Sequence, residues 1–164
     1  MAPLPRTRPA RSIEDYDPAD GIYELDHAAE RVAGAREAAD RLDFPFTLTG
    51  RAENHIRGNP DLDDTIARLQ AYERAGADVL YAPGLGTRDE IGAVCKAVSR
   101  PVNVLANPRL TMSDIAGAGA RRVSVGSALA LVAVDAFATA AERAREDDLS
   151  ALAVRPPLKE WLGG

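Results

Sequence analysis

A single cysteine, Cys95, stands among 164 residues, which excludes an internal disulfide. Only His27 and His55 accompany it, so no Cys/His spacing of the metal-binding kind exists. No apolar run approaches the roughly 20 residues needed to cross a bilayer. Charge of one sign is missing too. Twenty basic and 25 acidic residues are interspersed along the chain, and a net charge of −5 argues against a nucleic-acid surface. Cys95 lies in the apolar pattern Ile91, Val94, Cys95, Val98, and its expected role is a plain core residue. Residues 1–11, MAPLPRTRPAR, contain no acid. Their arginines suggest targeting, but the prolines oppose an amphipathic helix and no apolar segment follows. They read as a disordered leader or the ragged start of a shortened frame, ahead of one domain over 12–164. The default location is the cytoplasm.

What is present is a regular alternation. Strands are expected near 12–16, 46–51, 78–83, 101–105 and 121–125, several of them rich in Val and Ile, as strands covered on both faces are. Between them run helical stripes. Leu25, Ala28, Ala29, Val32, Ala35, Ala39 and Leu42 form the first, and Leu62, Ile66 and Leu69 the second. Ile91, Val94 and Val98 form the third, and Met112, Ile115 and Ala116 a short fourth. Asp63, Asp64 and Ser113 suit helix N-terminal turns, and Gly76 and Gly119 suit helix ends. Five such units make an α/β fold with parallel crossovers. The pattern allows either an open doubly wound sheet or part of a closed barrel. A closed (β/α)₈ barrel takes about 200–250 residues or more.

Residues 127–145 read as one long helix whose first half is apolar almost all round, through Leu129, Leu131, Val132, Val134 and Phe137. Burial within the domain and a subunit interface both account for it. The interface reading makes the protein a homo-oligomer. The tail 156–162 reads as a short docking helix anchored by Trp161.

Ligand groups gather at the carboxyl ends of parallel strands. Those ends carry Glu14 and Asp15; Arg51, Glu53, Asn54 and His55; Pro83 and Gly84; Asn103; and Ser124, Gly126 and Ser127. Such a set suits an oxygen-liganded cation and a small carboxylic acid. A carboxylate ending an apolar strand, as Glu14 does, is costly unless metal-bound or paired with a cation such as Arg51. Arg51 offers a planar fork for a carboxylate or phosphonate. Glu53 reads as its supporting partner or as a plain ion-pair member. Asn103 reads as a substrate hydrogen-bonder or a structural amide. Ser124 to Ser127 lead into a helix whose free N–H groups can hold an anion. His55 reads as an exposed loop residue.

The stretches Ser12-Ile13-Glu14-Asp15-Tyr16, Thr49-Gly50-Arg51-Ala52-Glu53-Asn54, Ala75-Gly76-Ala77-Asp78, Pro101-Val102-Asn103-Val104-Leu105 and Arg122-Val123-Ser124-Val125-Gly126, in this order, resemble the isocitrate lyase/phosphoenolpyruvate mutase superfamily. The resemblance covers about residues 12–146 and implies units four to eight of a TIM-type (β/α)₈ barrel. It implies Mg²⁺-dependent breaking or making of a C–C or C–P bond beside a 2-oxo acid or enolate. It places Glu14 in the metal shell, Arg51 and Glu53 at the catalytic centre, and Arg51, Asn103, Ser124 and Gly126 on a small carboxylic or 2-oxo acid. The lyases' cysteine-bearing loop has no counterpart between Tyr16 and Leu25. Nor do the family's earlier aspartate-bearing strands, so magnesium binding and turnover are expected to be weak or absent. A non-catalytic, assembly-dependent barrel part and a phosphate-ester binder are the alternatives.

Overall fold

Alternating apolar patterns become alternating strands and helices. The structure, a computed structural model, describes residues 9–153. Its elements in order are β1 (Ala10–Glu14), β2 (Tyr16–Asp17), β3 (Gly21–Ile22), α1 (Leu25–Asp40), β4 (Thr47–Arg51), α2 (Leu62–Arg74), β5 (Val79–Tyr81), α3 (Arg88–Ala97), β6 (Val102–Leu105), α4 (Met112–Gly117), β7 (Arg122–Ser124) and α5 (Ala128–Arg145). Short 3₁₀ turns lie at Asn54–Arg57 and Ser150–Ala153. The described residues separate into two compact units, one ending at Ser124 and the other beginning at Val125. β1 begins at Ala10, inside the segment read as a leader. The Trp161 segment lies outside the described residues.

Five strands form one parallel sheet in the order β1-β4-β5-β6-β7. Each strand pairs with the next in sequence and the order never reverses. A doubly wound sheet reverses at its switch point, so that alternative is set aside. Right-handed crossovers between successive neighbours put the connecting helices α1 to α4 on one face, which is how a barrel segment is wound.

Register divides the strand residues between two faces, because side chains alternate along a strand. Ile13, Leu48, Gly50, Leu80, Val102, Val104 and Val123 face the helices. They meet Ala28 and Val32 of α1, Leu69 and Tyr72 of α2, Ile91 and Val94 of α3, and Ile115 of α4. Burying one such large aliphatic side chain stabilises the fold by about 1.5–3 kcal/mol. Gly50 is needed where it stands, since a Cβ there would lie 2.7 Å from the Cβ of Tyr72.

Side-chain oxygens set the starts of α2, α3 and α4, and Asp63, Asp64 and Ser113 lie in first turns, as expected. Asp61 caps α2, accepting from the N–H groups of Asp63 and Asp64. Thr87 with Glu90, and Thr111 with Asp114, close reciprocal capping boxes on α3 and α4. Burial alone would raise the Glu90 carboxyl, but hydrogen bonds from Gly86 and Thr87 outweigh it and hold it below its usual value. Gly76 and Gly119 follow α2 and α4 with φ of +100° and +107°, as helix-ending glycines do.

The interval after β1, where the lyases' cysteine-bearing loop has no counterpart, folds into the antiparallel pair β2–β3. In the second unit α5 buries none of its residues. Leu129, Leu131, Val132, Val134 and Phe137 are between 62% and 75% exposed.

Candidate functional site

The side of the sheet away from the helices is polar. Direct partners in register share a face, and one row runs Glu14, Arg51, Tyr81, Asn103, Arg122 across all five strands. Thr49 and Ser124 lie on the same face, two residues from Arg51 and Arg122 along their strands. Four of the sequence-predicted residues, Glu14, Arg51, Asn103 and Ser124, are therefore brought to one surface.

Arg51 is held from three sides. Its Nε donates to Glu53, its Nη1 lies 3.3 Å from Glu14 Oε1, and its guanidinium carbon lies 5.0 Å from the centre of the Tyr81 ring. Glu53 is completely buried and is shared between two arginines, for Arg57 donates to its other oxygen at 3.0 Å. The Arg57 guanidinium in turn stacks on Tyr16, 3.8 Å from the ring centre. Both Glu53 oxygens are thus engaged, the ion-pair arrangement. Glu14 also has the paired arrangement, with its side chain 41% exposed.

Asp15, one residue beyond Glu14, turns to the opposite face and is buried. Its Oδ1 accepts the backbone N–H of Glu53 at 2.7 Å, and its Oδ2 accepts from Tyr72 Oη at 2.5 Å and Arg68 Nη1 at 3.1 Å. Arg68 also donates to Asp64 and to the Tyr23 carbonyl. Burial, and then the Asp15 charge, push the Tyr72 hydroxyl far above its ordinary value. This knot joins β1, the turn after β4 and α2, and it fixes where Glu53 holds Arg51. Sequence reasoning noticed Asp15 at a strand end but not its role. The available signal was Arg68 and Tyr72 beside Leu69, a charge and a hydroxyl on the buried face of α2.

His55 is partly buried rather than free in a loop, with Nδ1 2.8 Å from Thr65 Oγ1. Asn54, fully buried, donates Nδ2 to Thr65 Oγ1 at 2.7 Å and so pins the 3₁₀ turn to α2. Gly84, at φ +100°, lets the loop after β5 lie against that turn; a Cβ there would be 2.9 Å from Ile56. Asn103 is buried, with Nδ2 donating to Ser124 Oγ at 3.0 Å and Oδ1 unpartnered. Ser124 closes the first unit, whereas Gly126 and Ser127 fall in the second. Cys95 packs against the core, and burial raises its thiol, which suits an inert role. A cleft of about 300 Å³ lies between the loops after β5 and β6, lined by Gly84, Gly86, Asn107 and Arg109, but Arg51 does not line it.

Magnesium takes hard oxygen ligands. Here Asp15 and Glu53 spend both oxygens on hydrogen bonds and ion pairs, leaving Glu14 as the one accessible carboxylate of the group. Among the described residues no cluster of three or more His, Cys, Asp or Glu could hold a metal. The residues present do not fit a closed magnesium site.

Residues 10–145 match the profile of the phosphoenolpyruvate phosphomutase family. The chain belongs to that family. Its fold is that of the phosphoenolpyruvate mutase/isocitrate lyase superfamily. A candidate lyase/mutase of Burkholderia cenocepacia superposes with a TM-score of 0.87 at 47% identity, over 94% of this chain and 59% of that one. A phosphonopyruvate hydrolase solved with oxalate and Mg²⁺ superposes with a TM-score of 0.75 at 28% identity, over 94% and 58%. An oxaloacetate decarboxylase of Bradyrhizobium is 37% identical over 104 residues, 63% of this chain and 34% of the decarboxylase. The phosphomutase-family chain thus spans a third to three fifths of these relatives' lengths, as a partial barrel does. Among the described residues no helix is long and apolar enough to cross a membrane.

Proposed function

We propose that this chain carries the acid-binding part of a phosphomutase-family site, in which Arg51 holds the carboxylate of a small 2-oxo or dicarboxylic acid in the cytoplasm. In its complete form such a site breaks or makes a C–C or C–P bond next to the 2-oxo acid, with Mg²⁺ as the Lewis acid. The supporting observation is the preset guanidinium. Glu53 and Tyr81 fix its orientation, and its exposed contact is with Glu14, which an incoming carboxylate can displace. Oxalate in the hydrolase relative is a ligand of the same class. Any magnesium contact falls to Glu14 alone and is weak.

Turnover by this chain alone is expected to be absent or slight, because positioning and preorganised charge supply most catalytic power. The second reading is a barrel part that works only in an assembly of copies. Among the described residues β1 and β7 are the edges of the sheet, and these edges and the exposed apolar α5 favour it.

The test is calorimetric titration with oxalate, beside a coupled assay for cleavage of isocitrate, methylisocitrate and oxaloacetate. Arg51→Ala should weaken oxalate about tenfold or more, the loss of a charge-assisted bidentate contact. Glu14→Gln should leave metal-free oxalate binding equal or tighter, because a competing anion is gone, while removing any gain from magnesium. Oxalate binding indifferent to Arg51 would refute the assignment. Robust turnover lost in Arg51→Ala would restore full catalysis to this chain.

A further inference from the structure

The row that carries Arg51 ends in a second arginine. Arg122 shares the open face by register, through Tyr81 and Asn103. Its side chain is exposed and makes no hydrogen bond, ion pair or ring contact among the described residues, whereas those of Arg36, Arg51, Arg57 and Arg68 are all paired. Its neighbour Arg121 precedes the strand and is outside the row. We propose that Arg122 is a second anion-recognition residue, reading the far carboxylate of a ligand whose near carboxylate sits on Arg51.

A solitary exposed arginine is ordinarily just solvated. The residue between the two cations decides otherwise. Asn103 is 1% exposed, its Nδ2 is spent on Ser124, and its Oδ1 has no partner. A buried acceptor left unsatisfied costs about 1–3 kcal/mol, which a bound donor recovers. The row therefore presents cation, aromatic wall, free acceptor, cation. Neighbouring strands lie about 4.8 Å apart, so three steps separate the two arginine backbones by about 14 Å. Two arginine side chains leaning inward across that gap leave room for a short diacid. A four-carbon dicarboxylate bearing a hydroxyl fits this order, with the hydroxyl donating to Asn103. Oxalate is too short to reach both arginines. Arg122 would thus set ligand length, a specificity role distinct from the Arg51 anchor.

The inference rests on the Arg51 reading, and the probes separate the two. Oxalate and malate are titrated into the full chain, Arg51→Ala, Arg122→Ala and Arg122→Lys. Arg122→Ala should weaken malate about tenfold and leave oxalate within about twofold, with Arg122→Lys intermediate. Arg51→Ala should weaken both acids. If malate weakens no more than oxalate in Arg122→Ala, the length-reading role is wrong while the Arg51 site stands. If neither acid binds the unaltered chain, the Arg51 site fails and this inference with it. An unchanged thermal transition for Arg122→Ala verifies that the exposed substitution acts on binding.

Discussion

Asp15→Ala is expected to lower the unfolding free energy by about 3–5 kcal/mol, the usual result of breaking a buried ion pair by removing one partner. Three donors converge on that carboxylate: the Glu53 N–H, the Tyr72 hydroxyl and the Arg68 guanidinium. Without it, Arg68 keeps Asp64 and the Tyr23 carbonyl, but the Glu53 amide and the Tyr72 hydroxyl are stranded in the interior. Asp15→Asn should be milder, about 1–3 kcal/mol, because an amide oxygen still accepts but the charge is gone. Urea denaturation of the two variants beside the parent measures both. A loss under about 1 kcal/mol for Asp15→Ala would mean the knot is ornamental. The pH dependence follows from Tyr72. Its folded-state value is raised above the unfolded value of about 10, so its contribution is complete below pH 10 and is lost as pH climbs further. Tyr72→Phe should flatten the alkaline limb of the stability profile.

The second large effect concerns α5. In solution the chain is expected at twice its mass or more, because Leu129, Leu131, Val132, Val134 and Phe137 lie exposed on one helix. Each would gain about 1.5–3 kcal/mol from full burial, and so large an apolar surface on a soluble monomer is unusual. Leu131→Gln, Val134→Gln and Phe137→Gln together should keep the helix and shift the mass by light scattering to that of one chain. A parent protein that is already monomeric at tens of micromolar, with one cooperative unfolding transition, would rule the assembly out.

Much of this molecule could be read from local pattern. The five strands fell within a few residues of their expected places because each alternates with a helix whose apolar stripe repeats at 3–4 residues. Ala28, Val32, Ala35 and Ala39 show this spacing plainly. Arg51, Glu14, Asn103 and Ser124 were legible as a group because parallel strands deliver their C-terminal residues to one place. The capping boxes are also written locally, at Thr87 with Glu90 and Thr111 with Asp114, three residues apart in each case. Asp15 is different. Its partners lie 38 to 57 residues away, on another strand's turn and on a helix face. No periodicity announces a contact of that range. Arg122 hid for a related reason: two adjacent arginines look alike in sequence, and only register places Arg122 in the row.

The sequential strand order carries a mechanical consequence. In a closed ring, every strand has two neighbours and opening anywhere strains the whole. Here each βα unit leans only on the units beside it, so cohesion accumulates along the row, as in a short repeat array. The Asp15 knot grips only the β1, β4 and α2 end. The β6–β7 end, where Arg122 sits, has three registered residue pairs and, among the described residues, a single side-chain bond, between Asn103 and Ser124. Amide exchange should therefore rise from one end of the sheet to the other. The anchoring arginine rides on the stiff end and the length-reading one on the end that can give.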